Sequence, residues 1–274
     1  MGAHSIQKDI ISDFGNQWTM FTQNRGYYAS LQALDSLIQP LLEVKSVQNK
    51  WIADVGAGTG RYTRLLHEAG TKAILAMEPS AAFEVLKRNT TGLSGIEYLK
   101  APAEKIPPLG FDFIFCIGVM QFIEDPRSAL VAMGRALNPG GKLFLWVYGK
   151  EKNGLYLALL NFLRIFSSRL PPKLLRAFSC WLLPLADLYA FGCRILKLPL
   201  SDYLLNYFSR LDFYTRKLVI YDQLNPRIAK YYRAAELRAL LKACGFENIR
   251  MYHRLGYSWS VLASFKDGDS GDSP

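Results

Sequence analysis

The stretch Asp54-Val55-Gly56-Ala57-Gly58-Thr59-Gly60-Arg61 constrains this chain more than any other. It closes the short apolar run Trp51–Val55 and opens a helix-patterned segment, 62–69, that ends at Gly70. A buried strand turning through glycines into a helix brings backbone amides close to a ligand, and such a helix start suits a carboxylate as well as a phosphate. Glu78 follows the next apolar run, Ala73–Met77. An acid at that strand tip accepts hydrogen bonds from both hydroxyls of an adenosine ribose. The dinucleotide fingerprint needs its third glycine at position 61, which is Arg61. Asp54 ends the strand where it could order an ammonium group through amides or water. Together these features fit a nucleoside carrying an amino acid better than one carrying a pyrophosphate.

The rest of the chain continues the alternation. Residues 8–46 are mostly helical, with a break near Gly26 and a stop around Pro40. Helix is expected over 81–89, 126–137 and 234–244, the last closed by Gly245. Strands are expected at Ile96–Leu99, 111–119 and 142–148, with Asn138-Pro139-Gly140-Gly141 as the preceding turn. Strands separated by helices imply right-handed crossovers and a doubly wound sheet. Runs 248–254 and 257–265, joined at Gly256, predict a terminal antiparallel pair, and 267–274 a disordered tail. Half of the residues are hydrophobic and 20% are charged, which excludes disorder, collagen-like repetition and coiled coil. Four cysteines form no CxxC pair and no Cys/His cluster, so no metal site is expected and the thiols read as reduced in a cytoplasm. Residues 1–13 lack the apolar core of a secretory signal.

The net charge of +10 is concentrated. Residues 150–217 hold eleven Lys and Arg against four acids, in the most leucine-rich and aromatic part of the chain. A basic, apolar, helix-patterned segment points to an anionic membrane surface or an anionic, lipophilic substrate. The run 181–193 is shorter than the roughly 20 residues that span a bilayer, so contact without crossing is expected. Basic residues interleaved with Leu and Phe argue against a nucleic-acid partner.

Five motifs in order resemble the class I S-adenosylmethionine-dependent methyltransferases of the small-molecule, type 11-like kind: "DVGAGTGR", "AMEPS", "APAEKIP", "FDFIFCIGVMQFIEDP" and "RALNPGGKLFLWVY". The resemblance implies S-adenosylmethionine as cofactor and a Rossmann-like, doubly wound α/β fold of seven strands with an antiparallel C-terminal hairpin. It puts Gly56, Ala57 and Gly58 against the methionine part, counts Gly60 among the cofactor-binding residues, and sets Glu78 on the ribose and Pro79 beside the adenine. Ala103 contacts the adenine edge, Glu104 or backbone takes its amino group, and carbonyls of Ile117 or Gly118 take the ammonium. Gln121 stands where many relatives carry histidine, near the transferred methyl; it can orient an acceptor but is a poor base.

A sulfonium methyl is already activated, so the protein's task is in-line alignment and exclusion of water. None of the three histidines is expected as a base: His4 lies in the N-terminal tail, His67 in the first crossover helix, and His253 packs in the penultimate strand. Residues 1–46 are expected as a helical lid, with Trp18 and Phe21 on one face. Residues 47–150 and 218–266 form the cofactor-binding domain, and 151–217 an inserted helical cap. Tyr221, Asp222 and Arg227 are acceptor-site candidates by position. The cap's composition favours a small, hydrophobic acceptor, such as a biosynthetic intermediate, a quinone or a lipid-linked sugar. The alternatives are a nicotinamide-dependent oxidoreductase, against which Arg61 argues, and a non-catalytic scaffold at a membrane. Location is expected to be cytoplasmic, peripheral to the inner face of a membrane.

Overall fold

The computed structural model describes residues 3–196, 198–226 and 229–266. Seven strands form one sheet: β1 Trp51–Val55, β2 Ala73–Met77, β3 Ile96–Leu99, β4 Phe111–Ile117, β5 Leu137–Tyr148, β6 Phe246–Arg254 and β7 Ser258–Phe265. Their order is β3-β2-β1-β4-β5-β7-β6. The first five run parallel, and β7 lies antiparallel to both β5 and β6. The helices are α1 Ala3–Met20, α2 Leu31–Ile38, α3 Arg61–Glu68, α4 Phe83–Asn89, α5 Pro126–Arg135, α6 Gly154–Ser167, α7 Pro172–Ile195, α8 Ser201–Asn206, α9 Phe213–Leu224 and α10 Ala234–Ala243.

The central strands are largely apolar because helices cover both faces, and their two acids, Asp54 and Asp112, are hydrogen-bonded. Side chains alternate between two cores. Ile52, Ile74, Phe113 and Phe115 pack with Leu37 of α2 and Leu65 of α3. Ala53, Leu75, Ile114 and Cys116 pack with Leu130 of α5 and Leu237 of α10. Local chemistry sets the ends of the helices. Pro126 opens α5, where the Asp125 carboxylate accepts from the backbone of Arg127 and Ser128. Gly245 follows α10 at φ +89°, a conformation that favours glycine.

Three expectations need correcting. The fifth strand begins at Leu137: Leu137 pairs with Phe111 and Lys142 with Phe113, so the Asn-Pro-Gly-Gly turn is a bulge within the strand. β4 ends at Ile117, because the chain turns at Gly118 with φ +75°. The run 181–193 belongs to α7, whose 24 residues are long and apolar enough to cross a membrane by length and composition. Pro184 does not end that helix. Residues 267–274, expected as a tail, lie outside the described residues.

The cap, α6 to α9, docks beyond one edge of the sheet through α9. Leu160 of α6, Leu175 of α7 and Leu218, Tyr221 and Leu224 of α9 share a cluster with Phe21 from the segment after α1. Gly134 on α5 faces the ring of Phe265, which a Cβ at that position would overlap. Alanine in a helix is normally about 1 kcal/mol better than glycine. Here overpacking dominates, and Gly134→Ala is expected to lower stability by about 1–3 kcal/mol in urea unfolding with an unchanged m value.

Candidate active site

The glycine turn is tied to the neighbouring strand tip by three hydrogen bonds, and a fourth braces the Glu78 carboxylate from its own segment. Backbone N–H groups of Gly56 and Ala57 both donate to the Met77 carbonyl at 2.8 Å. Gly58 N–H donates to one Glu78 carboxylate oxygen and Ser80 N–H to the other, each at 2.9 Å. Glu78 is buried, yet its carboxylate faces a cavity. A carboxylate offers about four lone-pair sites, so two remain for the hydroxyls of a ribose. The glycines divide by role. A Cβ at Gly56 would overlap Val119, and one at Gly60 would meet Leu86 at 2.9 Å, so both serve close packing. Gly58 has φ +55° and opens toward the Trp18 ring, with Nε1 at 3.6 Å from a notional Cβ. The Trp18 ring would therefore lie in van der Waals contact with any side chain placed there, and Gly58 leaves that part of the cavity wall to backbone.

The cavity measures about 660 Å³, within the range of small-molecule sites. Of the expected cofactor residues, Gly56, Ala57, Gly58, Glu78, Pro79 and Ala103 line it, as do Glu104, Ile117 and Gly118. Asp54 and Gly60 do not. Asp54 lies beneath the turn and accepts from the Thr63 hydroxyl at 2.6 Å. Burial pushes its carboxyl up to about 6, with the hydrogen bond from Thr63 opposing and the charge of Glu78 adding. Its part is to brace the start of α3 against β1. The donor set and the glycine turn fit S-adenosylmethionine.

Acceptor candidates separate in the same way. Trp18 and Asp222 line the cavity. Phe21 and Tyr221 are buried against each other, ring centroids 5.2 Å apart, and act as core anchors. Gln121 lies behind the wall, 1% exposed, and neither amide atom of its side chain has a partner. Arg227 falls outside the described residues. Asp222 is the centre of a network: Gln17 Nε2 donates to one oxygen at 2.8 Å and the Tyr148 hydroxyl to the other at 3.0 Å. Gln223 Nε2 donates to that same hydroxyl at 2.8 Å. Burial raises the pKa of Asp222, while the bonds from Gln17 and Tyr148 and the charge of Arg164 hold it down.

Several site residues were not visible in the sequence. Tyr28, Tyr62, Tyr148, Tyr203, Tyr207 and Tyr257 line the cavity, from five separate stretches of chain. Two guanidinium groups stand among them. Arg61 donates to the Tyr28 carbonyl at 2.7 Å and lies 3.5 Å over the Tyr28 ring. Arg254 donates to the carbonyl and hydroxyl of Ser36, both at 2.9 Å, and lies 5.4 Å from the Tyr207 ring. Among the described residues neither forms a salt bridge. The spacing of Tyr203 and Tyr207, one helical turn apart, was the one available signal.

Residues 53–145 match a family described as a methyltransferase domain. Over 104 residues the chain is 36% identical to a tRNA U34 carboxymethyltransferase of Nautilia profundicola, covering 36% of this chain and 35% of that protein. A tRNA U34 carboxymethyltransferase of Campylobacter hominis is 32% identical over 116 residues, covering 40% and 39%. The chain therefore matches little more than a third of these relatives' length. Among solved structures, a SAM-dependent methyltransferase from Thermotoga maritima superposes with a TM-score of 0.51 over 87% of this chain and 91% of that one, at 18% identity. The relatives named for a tRNA overturn the expectation of no nucleic-acid partner. That expectation rested on the charge pattern of the cap, whereas the match lies in the sheet domain.

Two outcomes follow from the geometry. Glu78→Ala removes both the ribose acceptors and the tie to Gly58, and should weaken S-adenosylhomocysteine binding by about 1.5–3 kcal/mol in calorimetry. For Asp54, the unfolded chain ionises near 3.8 and the folded chain near 6. Between those values the folded state holds the extra proton, so this group's contribution to stability falls as pH rises. The melting temperature of wild type relative to Asp54→Asn should therefore drop from about pH 4 to about pH 6.

Proposed function

We propose that this chain, whose residues 53–145 match a methyltransferase domain, transfers a methyl group from S-adenosylmethionine to a flat, hydrogen-bonding ring held among the tyrosines of the cavity. The observation that carries the reading is a single cavity whose lining holds Glu78 and the glycine turn together with six tyrosines, Asp222, and the guanidinium groups of Arg61 and Arg254, which form no salt bridge among the described residues. S-Adenosylmethionine supplies an activated methyl when bound. Gly56, Gly58 and Glu78 seat the nucleoside, with Pro79 and Ala103 beside the adenine and the Ile117 carbonyl near the ammonium. Tyrosine faces stack a ring, Arg61 and Arg254 meet its electron-rich or anionic edge, and α1 shuts out water.

Asp222 is the proton acceptor in this reading. Burial raises its pKa above the ordinary carboxylate value, and Tyr148 and Gln17 fix its orientation. A nucleobase turned out of its stack is a ring of this kind, and the relatives named as tRNA U34 carboxymethyltransferases support it as the acceptor. A second reading, a ring-bearing lipophile, is favoured by the exposed apolar cap.

The test is transfer of labelled methyl from S-adenosylmethionine into a tRNA fraction and, separately, into a lipid extract. Label is expected in the tRNA and reduced at least tenfold by Asp222→Asn, a variant that should still bind S-adenosylhomocysteine. Label confined to lipid would replace the nucleobase with the lipophile. Label in neither, from a protein that binds the donor, would sink the proposal.

A further inference from the structure

α7 is apolar on both sides, and only one side has a partner. Leu175, Ser179, Leu183, Ala190 and Cys193 are buried toward α8 and α9. On the opposite side Leu174, Trp181, Leu188 and Ile195 recur every seven residues, 57%, 81%, 67% and 72% exposed, with Leu185 between them. α6 repeats the arrangement: Leu157, Leu160 and Ser167 face inward, while Leu155, Leu159, Phe162 and Phe166 are all more than half exposed. A helix apolar all round is ordinarily buried, and contiguous exposed apolar surface on this scale marks an interaction site.

Charge identifies the occupant. Arg169, Lys173 and Arg176 are exposed where α6 passes into α7, Lys152 just before α6 and Arg194 in the last turn of α7. The exposed acid on α7, Asp187, is already bridged to Arg216. We propose that the α6–α7 ridge lies in the interface of an anionic lipid membrane, its Leu, Phe and Trp side chains among the acyl chains and its cations against headgroup phosphates. A second copy of this chain would bring the same cations face to face. Nucleic acid would meet the cations but leave the apolar ridge in water. Crossing is excluded by the inward stripe, which holds α7 flat along α8 and α9.

None of the exposed ridge residues lines the cavity, whose wall is formed on this side by Leu218, Val219, Asp222 and Gln223 of α9. Docking is thus independent of the methyl-transfer reading and leaves the site free. The experiment is co-sedimentation of the full chain with phosphatidylcholine vesicles, with and without phosphatidylglycerol. Binding to the anionic vesicles is expected, with Trp181 emission shifting to the blue and the bound fraction falling as salt rises. Trp181→Glu with Leu188→Glu should abolish binding, and Arg169→Glu with Lys173→Glu should lower partitioning at least tenfold, since each cation near the surface counts. Neither pair should alter S-adenosylhomocysteine affinity or circular dichroism, so loss of binding is not loss of fold. Equal sedimentation without vesicles, a dimer that the Trp181/Leu188 pair dissociates, or tRNA binding lost in that pair would each overturn the assignment.

Discussion

The carboxylate of Glu78 is the hinge pin of the cofactor half. It receives one N–H from the glycine turn after β1 and another from the start of the segment after β2. Together with the bonds from Gly56 and Ala57 to the Met77 carbonyl, this locks two neighbouring parallel strands at their tips, just past the end of their ladder. The lock is charge-assisted and buried, which makes it strong and directional. It also leaves lone pairs facing the cavity, so one group both sets the turn and contacts what the turn receives.

The acceptor half is built differently. No single motif forms it; tyrosines arrive from the N-terminal segment, α3, β5, the α8 region and the β6–β7 connection. Polar order comes from the chain of contacts Gln17, Asp222, Tyr148 and Gln223, which couples α1, α9 and β5. Buried polar networks of this type are costly unless complete. Here both oxygens of Asp222 and the hydroxyl of Tyr148 are used, and Asn225 completes the far end by donating to Gln17.

Period-2 and period-3.6 patterns with glycine stops made the sheet legible: β1 and β2 fall on the runs read from apolar continuity, since nearly all their residues are buried, and the edge strand β3 falls on the run read at Ile96–Leu99. The bulge at the start of β5 was hidden, because an Asn-Pro-Gly-Gly string carries turn chemistry whether or not the strand resumes on its near side. Glu78 and the turn were visible because local spacing decides them. Arg254 and Tyr257 were not, since only a β-hairpin inserted beside β5 brings them within reach of Tyr62, and register across long separations leaves no local trace. Gln121 shows the opposite error: its position beside the motif was correct, but the short helical turn at Met120–Phe122 rotates its side chain into the core. The length of α7 was underestimated because Pro184 and Asp187 read as interruptions, although a first-face proline in a packed helix need not end it.

α9 is a party wall. Its Leu218, Val219, Asp222 and Gln223 line the cavity, and Leu218, Tyr221 and Leu224 pack with α6 and α7. Enlarging the chamber by trimming Leu218 would loosen the helix that also supports the ridge. Drift toward a bulkier or smaller acceptor in this lineage is therefore tied to compensating change on the cap, and the two halves of the molecule must evolve in step.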